Sequence, residues 1–133
     1  MKAVRVKEYG GPEVMSYEDI DLPAPGPTDV LVKIAAAGIN FIDTYQRSGL
    51  YPVPLPLTLG LEGAGTVEET GDEVSLFNKG DRVAYTSVAG SYADYASVPA
   101  DKLVRIPDDI SFAQGAAAML QGCTAHYLSQ STY

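Results

Sequence analysis

A chain of 133 residues has room for one domain with a real core and hardly for two. Seventeen acidic residues against nine basic ones give a formal charge of −8, a sign that repels phosphate backbones and argues against nucleic acid as a partner. Apolar residues make up 46% and charged residues 20%, an ordinary globular balance. No run approaches the roughly 20 apolar residues that span a bilayer, so no membrane association is expected. Met1-Lys2-Ala3-Val4 enters a strand directly, without the charged head and apolar core of a secretory leader. Cys123 is the single cysteine, which rules out an internal disulfide and fits a reducing cytoplasm; on its own it reads as a small buried residue.

Thirteen glycines and nine prolines call for many turns and favour a β-rich fold over a helical bundle. Ala3-Val4-Arg5-Val6-Lys7 alternates as a half-exposed strand and is closed by Gly10-Gly11-Pro12. Val14 to Leu22 predicts a weaker second strand, and Pro23-Ala24-Pro25-Gly26-Pro27 a turn at the rim. The apolar run Val30 to Ala37 predicts a third, buried strand. Gly38 marks the exit from it, Asn40 is placed to cap a short helix through its side-chain oxygen, and Gly49 ends that helix.

Leu50 to Leu59 carries prolines at 52, 54 and 56 and predicts extended chain. Leu61 to Thr70 reads as a strand interrupted by Gly63 and Gly65, followed by a turn at Gly71-Asp72-Glu73. Lys79-Gly80-Asp81-Arg82-Val83 is a tight turn feeding a strand over 83–86. Tyr92 to Val98 and Leu103 to Ile106 alternate as two more strands, stopped by Pro99 and Pro107. Short strands at close spacing predict a barrel or sandwich. Ser111 then reads as an N-cap, with helix over Phe112 to Met119 and a second helical piece from about Thr124. The apolar side chains of this tail (Phe112, Ala116, Ala117, Ala118, Met119, Leu120, Leu128) are expected to lie exposed and to seek a partner.

Asn40, Asp43, Tyr45 and Arg47 crowd into two helical turns at the end of a rigid strand. Two readings stand on spacing alone: a ligand-facing polar set, or a capped connecting helix whose Asp43 and Arg47 pair on a solvated face. Glu62 reads as a buried carboxylate held by backbone amides. Gly60-x-x-Gly63-x-Gly65 has the wrong spacing for a dinucleotide fingerprint and no helix behind it, so it is taken as a strand kink. His126 lies three residues after Cys123 on one expected helix, but no oxyanion hole or orienting group accompanies the pair.

Gly38-Ile39-Asn40-Phe41-Ile42-Asp43-Thr44-Tyr45-Gln46-Arg47-Ser48-Gly49-Leu50-Tyr51-Pro52, Gly60-Leu61-Glu62-Gly63-Ala64-Gly65, Lys79 to Val83, and Gln121-Gly122-Cys123-Thr124 resemble the medium-chain dehydrogenase/reductase superfamily. Within it, the wording is similar to the zinc-free quinone oxidoreductases, the zeta-crystallin-like group. The resemblance runs along nearly the whole chain. It implies a mainly β fold with short helices: a GroES-like β-barrel catalytic domain over residues 1–112, with 113–133 as the helical start of a connection to an NADPH-binding Rossmann domain that these residues do not contain. It implies hydride transfer from NADPH to a quinone in the full-length, homo-oligomeric enzyme, and an inactive isolated N-terminal piece. Two alternatives remain open: a zinc-free enoyl or enone reductase using the same cleft, and a free-standing GroES-like binding module.

By the same resemblance, Asn40 and Tyr45 are catalytic positions, and Asn40, Tyr45 and Thr124 contact the cofactor or substrate. Metal-using relatives hold a catalytic zinc where this sequence has Asn40, Leu61 and, just before Thr124, Leu120 or Gln121. An amide and an isobutyl group are poor substitutes for thiolate and imidazole, so no metal is expected. An amide, a phenol and a hydroxyl instead suit a neutral carboxamide or a quinone oxygen, with the hydride chemistry left to the cofactor.

Overall fold

The computed structural model describes residues 1–132; Tyr133, the end of the expected connecting stretch, lies outside the described residues. Among these described residues, eight strands make two sheets. In the smaller, β1 (Lys2–Val6) lies between β2 (Met15–Asp19) and β4 (Leu57–Thr58). In the larger, the order is β7 (Tyr95–Pro99), β3 (Asp29–Ala37), β5 (Glu62–Thr70), β6 (Arg82–Thr86), β8 (Leu103–Arg105). All neighbours are antiparallel.

The sheets are sewn together on one side. Ala3 bridges Ala93, Val4 donates to the Tyr92 carbonyl at 2.8 Å, and Ile34 donates to the Asp94 carbonyl at 2.9 Å. Residues 92–94 thus stand between β1 and β3 and join the two sheets. The expected strand from Tyr92 accordingly begins at Tyr95. Its first three residues turn to serve β1 as well.

The core follows from the alternation. Val30 and Val32 of β3, Val67, Val83, Tyr85 and Val98 are almost completely buried and pack as one cluster. The β3–β5 ladder slips twice, and Ala35 is the extra residue opposite Gly65-Ala64. Gly65 therefore marks a bulge on the facing strand; β5 itself runs unbroken. A side chain there would meet the Lys33 carbonyl carbon at 2.8 Å, so the close strand approach requires glycine. The second expected strand is shorter than its pattern at both ends: Pro12 opens a 3₁₀ turn that takes Val14, and the pairing with β1 ends at Asp19 opposite Lys2.

The tail departs from expectation. α2 (Phe112–Ala117), capped by Ser111, continues through a wide π-type turn at Ala118–Gly122 into α3 (Cys123–His126) and a second wide turn at Tyr127–Ser131. Its first half is no loose apolar face. Ala116 is buried against Ala64, Ala84 and Ile106, with Phe112 and Met119 packed beside them. Arg82 fixes this end: its guanidinium donates to the Pro107 carbonyl at 2.7 Å and stacks 4.7 Å over the Phe112 ring. Beyond Leu120 the helix is exposed, with Tyr127 and Leu128 more than half so. No helix of the described residues is long and apolar enough to cross a membrane.

Candidate functional site

β3 delivers the chain to Gly38, and α1 (Phe41–Ser48) starts immediately beyond it, ending at Gly49 in the left-handed region. Asn40 is the N-cap in extended backbone, and it faces Asp43 as a capping box. The firm bond of that box is the one from the Asn40 backbone N–H to Asp43 Oδ2, at 2.8 Å. The cap was expected from the Asn40 oxygen; the short bond belongs to the partner three residues on.

Asp43 corrects a second expectation. It is buried at 5% exposure and makes no ion pair with Arg47, whose Nε donates to the Gly10 carbonyl instead. Its Oδ2 also takes the Tyr92 hydroxyl at 2.7 Å, while Oδ1 has no partner among the described residues. Burial first, then the Asp43 carboxylate, push the Tyr92 hydroxyl above the usual phenol range. Tyr92 enters the site from the 92–94 seam, and nothing in the local sequence pointed to it. The Asn-x-x-Asp spacing did carry the signal for Asp43.

Glu62, the first residue of β5, is fully buried. Its Oε1 accepts from Asn40 Nδ2 at 2.9 Å and its Oε2 from the Leu120 backbone N–H at 2.8 Å. One backbone amide and one side-chain amide hold it, where backbone amides alone were expected. Leu120 sits within the wide turn Ala118–Gly122, where the helix loosens around the diverted amide. Glu62 fits only because residue 38 is glycine: a methyl there would stand 2.6 Å from Glu62 Cγ and nearer still to the carboxyl oxygen. One carboxylate thereby ties together the stretches around residues 40, 62 and 120, which are far apart in sequence.

Tyr45 is half-buried on α1, tilted against Phe41 at 6.4 Å and edge-on to Tyr51 at 5.3 Å between ring centroids. Its hydroxyl has no hydrogen-bond partner among the described residues. Thr124 is exposed and lines a shallow groove with Thr86, Ser87, Met119, Leu120 and Tyr127, which neither Asn40 nor Tyr45 reaches. The Asn40 side chain joins this region through Glu62 and Leu120, and the Ile39 carbonyl beside it accepts from Gln121 Nε2 at 3.0 Å. Cys123 is exposed, against the expectation of a buried thiol, and no hydrogen bond links it to His126. Among the described residues no three His, Cys, Asp or Glu side chains converge as a metal site. Leu61 is buried hydrocarbon, and the oxygens of Glu62 are committed to N–H donors.

Residues 26–108 match the model of the alcohol dehydrogenase GroES-like domain, more than half of the chain. The chain belongs to this family. As a GroES-like domain it is 52% identical to a quinone oxidoreductase of Pseudomonas aeruginosa, over 99% of this chain and 41% of that protein. The crystal structure of a quinone oxidoreductase from Pseudomonas syringae superposes with a TM-score of 0.95 at 51% identity, again over 99% of this chain and 41% of the other. The Escherichia coli quinone oxidoreductase crystallised with NADPH gives 0.95 at 42% identity, over 100% and 41%. The GroES-like domain thus spans about two-fifths of the proteins it matches.

Proposed function

We propose that this GroES-like domain serves an NADPH-dependent, zinc-independent quinone oxidoreductase, with residues 1–112 as the catalytic barrel and 113–133 leading toward the nucleotide-binding part. The single observation that carries this reading is the Asn40–Glu62–Leu120 hydrogen-bond set. Of the positions that the resemblance assigns to zinc ligands in metal-using relatives, Asn40 and the Leu120 stretch are tied to Glu62 by hydrogen bonds, and the remaining one is the buried hydrocarbon of Leu61. NADPH, when bound, supplies the hydride for a quinone acceptor. The chain's own residues bind and orient: Asn40 and Tyr45 face the reacting groups, and Thr124 adds a hydroxyl to the nicotinamide end. Tyr45 offers an unpaired phenol to a quinone oxygen as that oxygen gains charge. The residues fit the uncharged end of such a cofactor. With a formal charge of −8 and no glycine-rich helix start among the described residues, they offer little to its phosphates. The 133 residues alone are therefore expected not to turn over.

The test is a chimera in which these residues replace the matching two-fifths of the Pseudomonas aeruginosa relative. Quinone-dependent NADPH oxidation, insensitive to chelators and free of stoichiometric zinc, is expected. A folded chimera without that activity, or one carrying a zinc ion per chain, refutes the reading. Sustained oxidation by the 133 residues alone refutes the expectation of inactivity.

A further inference from the structure

Both oxygens of Glu62 are used by donors, one at each end: Leu120 N–H on Oε2 and Asn40 Nδ2 on Oε1. A carboxylate has no hydrogen to give, and a backbone N–H cannot accept. The Asn40 side chain is the one member of the set with both a donor and an acceptor, and only its nitrogen end can satisfy Glu62. Two further contacts hold it. Asp43 takes the Asn40 backbone N–H, and the absence of a Cβ at residue 38 leaves Glu62 the room to reach it.

We infer that Glu62 is a positioning residue that sets the polarity of Asn40, turning its nitrogen inward and leaving the amide oxygen as the atom offered to a ligand. The oxygen also faces the start of α1 as its half of the capping box, and its second lone pair serves the ligand. The group recognised at Asn40 is then a hydrogen-bond donor, such as the N–H of a primary carboxamide. An acceptor-only quinone oxygen falls to the hydroxyl of Tyr45. This division of labour rests on the proposed cofactor reading; the orientation of the amide does not.

The two parts separate in one experiment on the 133-residue chain, read by NMR. In the wild-type protein the Asn40 side-chain amide protons exchange slowly compared with those of a solvent-facing asparagine. Glu62→Gln keeps its oxygen for Leu120 and confronts Asn40 with an NH₂, so exchange at Asn40 accelerates by roughly tenfold or more, while the Leu120 amide stays protected. Adding Asn40→Asp restores the set in reverse: the side-chain amide protons now carried at position 62 become slow, and an oxygen again faces outward. Unchanged Asn40 protons in the single variant, or fast side-chain protons at position 62 in the double one, overturn the inference. Nicotinamide and 3-acetylpyridine, which lacks the N–H, are then titrated against all three proteins. Wild type and double variant should favour nicotinamide by roughly tenfold and the single variant should lose the preference. A correct orientation with no preference in the wild type overturns the carboxamide assignment, and with it the cofactor reading of Asn40, while the role of Glu62 stands.

Discussion

Gly38→Ala puts the central hydrogen-bond set under a defined strain. The new methyl would lie 2.6 Å from Glu62 Cγ, against the 3.4 Å at which ordinary contact begins. Glu62 must withdraw by the difference, about 0.8 Å at Cγ and more at the carboxylate. Its bonds to Asn40 and Leu120, at 2.9 and 2.8 Å, then stretch past the limit of a hydrogen bond. Hydrogen bonds to a charged group contribute about 1.5–3 kcal/mol each, and replacing glycine returns about 0.4–1 kcal/mol through the unfolded chain. The net expected loss is about 2–5 kcal/mol, a large share of the 5–15 kcal/mol that typically separates folded from unfolded domains. Urea unfolding followed by far-ultraviolet circular dichroism measures it, with an unchanged m-value as the sign that the fold is retained. A loss below about 1 kcal/mol would show that the carboxylate moves at little cost, and that its two bonds do not fasten the helix.

Tyr92→Phe leaves buried Asp43 with the Asn40 amide as its one remaining partner, and stability should fall by about 1.5–3 kcal/mol in the same urea assay; no measurable fall would mean that water replaces the phenol. Burial raises the Tyr85 hydroxyl far above its ordinary value, which in the unfolded chain is about 10. The folded state thus holds its proton longer than the unfolded one. The Tyr85 contribution is complete below about pH 10 and should be lost at about 1.4 kcal/mol per pH unit above it, in parallel with that of Tyr92, whose hydroxyl is raised as well. Tyr85→Phe should therefore reduce the alkaline slope by about that amount without abolishing it, and an unchanged slope refutes the assignment. Gly65→Ala drives a methyl into the Lys33 carbonyl, where backbone must move, and should cost about 2–4 kcal/mol by thermal unfolding; a wild-type midpoint would show that the bulge at Ala35 absorbs it.

The strands were legible because their burial is periodic. Val30 and Val32, or Val83 and Tyr85, announce one face at a spacing of two, and Gly38, Gly49 and Pro99 punctuate them. Two kinds of feature were not. The 92–94 segment looks like the start of a strand, because alternation does not say which neighbour it serves; here it serves two. The polar set is the other case. Glu62 is identifiable as buried from its apolar and glycine neighbours, yet its partners come from positions 40 and 120, and pairing over such distances leaves no local trace. Asp43 and Arg47, four apart, read naturally as a surface pair. Tertiary packing overrode that preference by giving Asp43 a phenol and a backbone amide out of water.

The 92–94 seam also governs the kinetics of assembly. β1 is flanked by β2 on one side and, on the other, by β4 and the segment around Ala93. Its bond from the Lys2 amide to the Asp94 carboxylate spans 92 positions of chain. Strand pairings this distant lose loop entropy before they gain contacts, which places such topologies among domains folding in roughly milliseconds to seconds. On the ribosome, the first half of one flank of β1 stays open until residue 94 has emerged, since β4 covers only Arg5 and Val6. During that interval its bare edge is open to pairing with neighbouring chains.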